Sequence, residues 1–509
     1  MAARSEQHPQ PVPERRKRLI ILGICSMSLL IVGLDTTIVN VALPAIHRSF
    51  HSSLSGLQWV IDAYTLVLAS LLMLSGSSAD RIGRRRVFQV GLLLFSLGSL
   101  LCAVAPSLET LVAARVLQAI GGSMLNPVAM SIIRNVFVDP RERAHAIGVW
   151  GAMVGISMAL GPVVGGALVD SVSWRAVFIV NVPIGLLAIL LTAVFVPESK
   201  AEHPRRIDPV GQVLVILALA TLTYAIIEAP SAGWASLQTL GLFGVSLAAF
   251  ITLVLFELRR RQPLLEMRFF RSAPFSGASA TAVAMFAAMG GFLFLNTLYL
   301  QDIRGYSPLQ AGLYTLPMAG LMVIMSPLTG RFVGSHGTRW PLMGGGLALT
   351  ASGFILTQLT PHTSFVVLVA AYVLFGIGSG LVNPPITNTA VSGMPPSQAG
   401  VAAAVASTSR QVGQTLGVAV LGALAGSAAS GAIGAGFTGA THISWWIVVA
   451  LGLVILVLGF VTTTPWADAT AGRTADLFRD DHFGTTGPGS DQPELVAARV
   501  LQAIGGSML

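Results

Sequence analysis

Long apolar runs follow one another along this chain with only short connections between them, and that arrangement constrains its fold more than any single motif. Fourteen such runs lie between residues 19 and 463. Most are near the roughly twenty residues that an α-helix needs to cross a hydrocarbon layer about 30 Å thick. The surface cannot be water-facing in the ordinary way, because only 10% of the residues are charged and 53% are hydrophobic, whereas soluble domains carry about 25% charged residues. An all-α polytopic membrane protein is the fold class this implies. The runs group into a basic N-terminus (1–18), a six-helix bundle (19–196), two additional helices (208–257), a second six-helix bundle (272–463) and a tail (464–509) expected to be disordered.

Charge then sets the orientation. Short loops rich in Lys and Arg stay cytoplasmic, and most of the 30 basic residues fall in loops on one side if the N-terminus is inside, for example Arg15 to Arg18, Arg84 to Arg86 and Arg259 to Arg261. An even number of spans puts both termini in the cytoplasm, at the cell membrane. The net charge of +8 is therefore a topology signal and not a nucleic-acid footprint. The two cysteines, Cys25 and Cys102, lie inside apolar runs and imply no disulfide framework.

Four short motifs carry the chemistry. The first is GSSADRIGRRRVF, in which Gly76, Asp80, Arg81, Gly83, Arg84 and Arg85 crowd charge into a loop between two spans. Asp80 is expected to pair with a loop arginine or with Arg143. A later loop, SPLTGRFVGSHGTRW, echoes it with Gly330, Gly337 and Arg339 but has Gly334 where the first has its acid. Half-to-half similarity of this kind is what transporters built from repeated helix bundles show. The second motif, LDTTIVNVALP, places Asp35 inside the first run, and the third, RVLQAIGGSM, places Arg115 inside the fourth. An ionisable side chain costs about 2.5–3.5 kcal/mol at the centre of a membrane helix on insertion scales, so it faces a cavity or a partner. The plainer accounts are that Asp35 reaches interfacial water and that Arg115 snorkels to the outer interface. The fourth motif, ALGPVVGG, carries Gly161, Pro162, Gly165 and Gly166, whose spacing lets a neighbouring helix approach closely.

The first motif resembles the signature loop of the major facilitator superfamily, and the other three resemble motifs of its fourteen-span drug:proton antiporters, the branch of multidrug and antibiotic exporters. That resemblance implies two six-helix bundles plus two extra helices. It also implies export of drugs or antibiotics against protons, with a gating role for the first loop and an antiporter role for the glycine motif. Asp62 in the second run resembles the second-helix acid of quaternary-ammonium exporters. Asp35 and Asp62 are expected to carry protons or substrate, with Arg115 tuning Asp35 and all three sharing one cavity. Trp59 and Tyr64 flank Asp62 and either stack on a flat cation or belong to an interfacial aromatic belt. Arg410, deep in the run SRQVGQTLGVAVLG, resembles a family position of unclear role.

What is missing narrows the energy source. The two lysines, Lys17 and Lys200, lie outside any G-x-x-x-x-G-K-[ST] sequence, and no H-E-x-x-H run or His/Cys cluster offers a metal site. The expectation is a non-enzymatic, monomeric transporter without a cofactor, using protons as coupling ion, for a small amphipathic or cationic substrate. Export of one endogenous metabolite, lipid or amino acid stays open as the alternative. The tail holds an oddity: Leu495 to Leu509 repeat Leu111 to Leu125 letter for letter, in a stretch too short to cross a bilayer.

Overall fold

A computed structural model describes residues 14–201, 207–260, 263–392, 399–428 and 436–483. The first half consists of α1 (Arg15–Phe50), α2 (Leu54–Ile82), α3 (Arg84–Ala103), α4 (Leu108–Val136), α5 (Pro140–Ser171) and α6 (Ala176–Phe195). An extra pair follows, α7 (Pro209–Ala232) and α8 (Leu237–Leu258). The second half consists of α9 (Ala273–Ile303), α10 (Pro308–His336), α11 (Arg339–Leu356), α12 (Phe365–Val391), α13 (Ala399–Ala428) and α14 (Phe437–Val461). A last helix, α15, spans Pro465–Phe483.

Helix starts are written locally. Asp139, Asp208 and Ser307 each accept a hydrogen bond from the first turn of α5, α7 and α10, and a proline sits just inside each start, where its missing N–H costs nothing. The α2 and α10 ends each turn on a glycine with positive φ, Gly83 at 131° and Gly337 at 79°, a conformation that a side chain disfavours. The echo between the two loops is thus a shared backbone turn.

The halves repeat each other in space. In the first, α1 packs on α4, α5 and α6, and α3 on α4 and α6; in the second, α9 packs on α12, α13 and α14, and α11 on α12 and α14. The halves meet along α5–α10 and α2–α13, and α7 lies against both α2 and α13. This is the architecture that the sequence implied.

Twelve helices have the length and apolarity of a membrane span among the described residues, where fourteen were expected. The other two, α11 (18 residues) and α13 (30 residues), occupy the repeat positions of α3 and α5. Their polar content lowers their hydropathy: α11 carries Arg339 and three consecutive glycines, and α13 carries Arg410, Gln411 and Gln414. The expected disorder of the tail is corrected for 465–483, which is helical. The Phe478 ring lies tilted against Phe269 of the short 3₁₀ turn before α9, with centroids 5.4 Å apart, and Arg268 lies 4.6 Å over the Phe478 ring. The tail copy at 495–509 lies outside the described residues.

Candidate functional site

Asp35 and Arg115 meet inside the first half. Arg115 Nη1 lies 2.5 Å from Asp35 Oδ2, with the two side chains 1% and 0% exposed, so neither reaches an interface. Gln118, one turn along α4, donates to Asp35 Oδ1 at 2.7 Å and to Ser99 Oγ at 2.7 Å, and its own oxygen accepts from Arg115 at 2.6 Å. Asn181 of α6 donates to Asp35 Oδ1 at 3.1 Å. Arg115 Nε donates to the Val60 carbonyl at 3.0 Å, and the guanidinium lies 4.1 Å over the Tyr64 ring. Removing two charges from water costs several kcal/mol per ion, and the pair recovers that cost only with good geometry and further hydrogen bonds. Here α2, α4 and α6 supply them, and Ser99 of α3 holds Gln118 in turn.

Asp62 is elsewhere. It lies on α2 toward α13, fully buried, with Thr65 donating to Oδ1 at 3.4 Å and no hydrogen-bond partner for Oδ2. Around it the two halves are stitched together, since Gln58 donates to the Val418 and Ala419 carbonyls at 2.9 Å and Thr415 to Thr65 at 2.8 Å. The expectation of one shared cavity is therefore corrected. Asp35 and Arg115 form one group within the first half, and Asp62 forms another at the seam, because residues 62 and 64 point to nearly opposite sides of a helix.

The aromatic neighbours follow the same division. Tyr64 is buried under Arg115, whereas Trp59 turns to the extra pair, donating to Glu228 Oε1 at 3.0 Å and lying 5.7 Å from the Tyr224 ring. Arg410 donates to Thr387 Oγ1, lies 5.9 Å from the Phe286 ring and forms no ion pair among the described residues.

The charged loop closes on its own half. Asp80 Oδ1 accepts from Arg84 Nε at 3.2 Å and Nη2 at 2.9 Å, so its partner is a loop arginine and not Arg143. Glu198, just after α6, accepts from the Arg85 backbone N–H at 3.0 Å and lies 3.7 Å from Arg86. Its Oε1 fills the space that a side chain on Gly83 would need, 2.6 Å from where a Cβ would stand. Arg81 is exposed, and a Cβ on Gly76 would meet only ordinary contact with Pro127 at 3.7 Å.

The glycine motif faces two ways. A Cβ on Gly161 would collide with Thr37 and one on Gly165 would sit 2.6 Å from Ile38, both on α1, while one on Gly166 would sit 2.5 Å from the Pro308 carbonyl of α10. The Pro162 carbonyl fills the corresponding space at Gly312. At this end Asp170 accepts from Ser307 Oγ at 2.8 Å and Leu309 N at 3.0 Å, Gln301 donates to the Val41 carbonyl at 2.9 Å and Arg48 pairs with Asp302 at 3.4 Å. Toward the other end, Gly148 and Gly151 of α5 and Gly330 and Gly334 of α10 have nothing within 4 Å of an added Cβ. The bonds of Asp170, Gln301 and Arg48 seal the halves where α1 ends, and toward its start the four glycines of α5 and α10 stand beside open space.

Sequence reasoning missed Asn181, Ser99, Gln58 and Glu198. Asn181 left a signal, a single amide in the apolar run VFIVNVPIGLLAIL, and such a group seeks a partner on another helix. Glu198 left none, lying in an ordinary polar connection.

The chain is also similar to known proteins in sequence and in fold. The family described as Major Facilitator Superfamily matches residues 25–418. The chain is similar to the multidrug resistance protein Stp of Mycobacterium tuberculosis, 38% identical over 80% of this chain and 76% of that one. It is 37% identical to the tetracenomycin C resistance and export protein of Streptomyces glaucescens, over 79% and 75% of the two chains. It is 35% identical to the multidrug efflux pump LfrA of Mycolicibacterium smegmatis, over 80% of each. In fold it resembles a bacterial homolog to the human lysosomal transporter Spinster in an inward-facing, unoccupied conformation, with TM-score 0.61 and 18% identity over 92% of this chain and 99% of that one.

Proposed function

The chain belongs to the Major Facilitator Superfamily and is a multi-pass membrane transporter, not an enzyme; on that premise we propose that it exports drugs or antibiotics in exchange for protons. In this reading α11 and α13 also cross the cytoplasmic membrane, giving fourteen spans with both termini inside, and the chain works as a monomer. The relatives named for multidrug resistance and export support the substrate class. The end at which α5 and α10 leave open space is the cytoplasmic one under the basic-loop rule, and in this reading a small amphipathic or cationic substrate enters between the halves from inside.

The observation that carries the proton-coupled part is the contrast between two buried carboxyls. Asp35 is balanced by a fixed cation, because a guanidinium does not deprotonate, so protonating Asp35 leaves Arg115 without its counter-charge and loosens the α1–α4 contact. Asp62 has no cation and one unpartnered oxygen. An ionised carboxylate there carries an uncompensated desolvation cost that a proton or a cationic substrate removes. Exchange of one proton for a monovalent cation is electrically neutral, whereas two protons per cation also draw on the membrane potential, worth about 2.3 kcal/mol per charge per 100 mV.

The test is proton release on drug addition in proteoliposomes under an imposed pH gradient. Asp35→Asn is expected to abolish exchange of every substrate, and Asp62→Asn to spare neutral and monovalent drugs while weakening dicationic ones. Full proton-coupled export by Asp35→Asn would remove this assignment and leave Asp62 as the coupling acid.

A further inference from the structure

The base of the extra helix pair holds two buried acids that no motif singled out. Asp208 caps the start of α7 and Glu257 lies in the last turn of α8, 5% and 2% exposed. One oxygen of each carboxyl is satisfied. Asp208 Oδ1 accepts from Gly211 N at 3.0 Å and from Arg260 Nη2 at 3.4 Å, and Glu257 Oε2 accepts from Leu264 N at 2.9 Å. The other oxygen of each, Asp208 Oδ2 and Glu257 Oε1, is buried without a donor. Both lie within 3.3 Å of the point where a Cβ on Gly211 would stand, so the two orphan oxygens share one small space, left open by the absence of a side chain on Gly211.

Two buried acceptors facing one space lack a donor, and a buried acceptor left unsatisfied costs about 1–3 kcal/mol, more when charged. A metal ion is a poor answer. Hard cations take six or more oxygen ligands in protein sites, and among the described residues no group of three acidic, His or Cys side chains stands together. A proton needs only the two oxygens that are present. We propose that Asp208 and Glu257 form a proton-binding site in which a proton on Glu257 Oε1 is donated to Asp208 Oδ2.

The surroundings fix which acid holds it. Asp208 sits at a helix N-terminus, which favours its anionic form, and it faces Arg260; Glu257 sits at a helix C-terminus, which does not. Of the other charged groups nearby, Arg259 is exposed and Glu266 is paired with Arg268 at 2.9 Å. From α2 the contact is the Ser70 carbonyl, which accepts from Gln212 Nε2 at 2.7 Å. The site therefore ties α7 to α8 and, through Gln212 beside Gly211, to the helix that carries Asp62. It stands apart from the drug-export reading and does not depend on it.

Infrared difference spectroscopy of the purified full chain, titrated with acid and base in sodium-free buffer, tests the proposal. The wild type is expected to show a protonated-carboxyl C=O band that is lost in Glu257→Gln, while the variant, which keeps a neutral donor in place, unfolds thermally within a few degrees of the wild type. Asp208→Asn is the second variant, used if the first does not fold, and it is expected to shift that same band. A band unchanged in both variants overturns the site. So does thermal stabilisation of the wild type by sodium at fixed pH that Glu257→Gln abolishes, which would make the ligand a metal ion.

Discussion

The two halves place different chemistry on the same backbone. In the first, ARVLQAIG on α4 sets Arg115 and Gln118 against Asp35 of the LDTT sequence on α1; in the second, AYVLFGIG on α12 sets Tyr372 against Asn296 of the LNTL sequence on α9 and Phe375 against Phe292 of the same helix. The ion pair of one becomes a neutral hydrogen bond in the other, Tyr372 Oη to Asn296 Oδ1 at 2.5 Å, beside a Phe292–Phe375 stack with centroids 4.4 Å apart. The glycines keep their places: a Cβ on Gly91 would lie 3.0 Å from the Gly121 carbonyl, and one on Gly345 would lie 3.0 Å from the Gly378 carbonyl. Close helix approach builds the bundle in both halves, and buried charge is not required to build it. A charge kept in one half at a desolvation cost is then a candidate for function, which is where the export proposal places it.

The comparison breaks most visibly when one charge is removed. Asp35→Ala leaves Arg115 buried without a counter-charge and is expected to cost about 3–5 kcal/mol, read as a large fall in thermal unfolding temperature in detergent. Transplanting the second half's solution, Asp35→Asn with Arg115→Tyr and Gln118→Phe, is expected to restore most of that stability while leaving proton exchange absent. A transplanted protein that still exchanges protons would show the ion pair to be scaffold after all.

A smaller effect is expected where the halves touch. Gly166→Ala puts a methyl group against the α10 backbone at the sealed end, and overpacking of this kind costs about 1–3 kcal/mol. The same change at Gly330, which has open space around it, is expected to stay within about 0.5 kcal/mol. Cysteine accessibility at the sealed end should rise in the first variant only, and equal behaviour of the two would contradict the difference between the tight packing at Gly166 and the open space at Gly330.

The loops give the smallest change in stability. The Asp80–Arg84 pair is partly exposed, and such pairs contribute about 0–1 kcal/mol, so Asp80→Asn is expected to leave folding almost unchanged. It is expected to slow transport with drug binding intact, whereas Gly334→Asn in the second loop changes neither. Parallel loss of binding and transport in Asp80→Asn would assign the residue to folding.

Much of this protein is legible without coordinates. Run length and apolarity set the helices, prolines and polar caps set where they start, and Gly83 and Gly337 mark the repeated turn, because each of these is a local property of backbone and solvent. The tail was misread for the same reason: 465–483 is too polar to declare itself, and it is held by the contact of Phe478 with Phe269, far away in sequence. Tertiary structure alone decided the partners. Asp35 finds Arg115 eighty positions on and Asn181 further still, while Asp62 turns to the other half. A helix in lipid is apolar on every side, so no polar stripe marks its buried face as it does in water. Which faces meet is settled by where glycines let backbones approach, and a buried charge reveals its role only when the group across from it is seen.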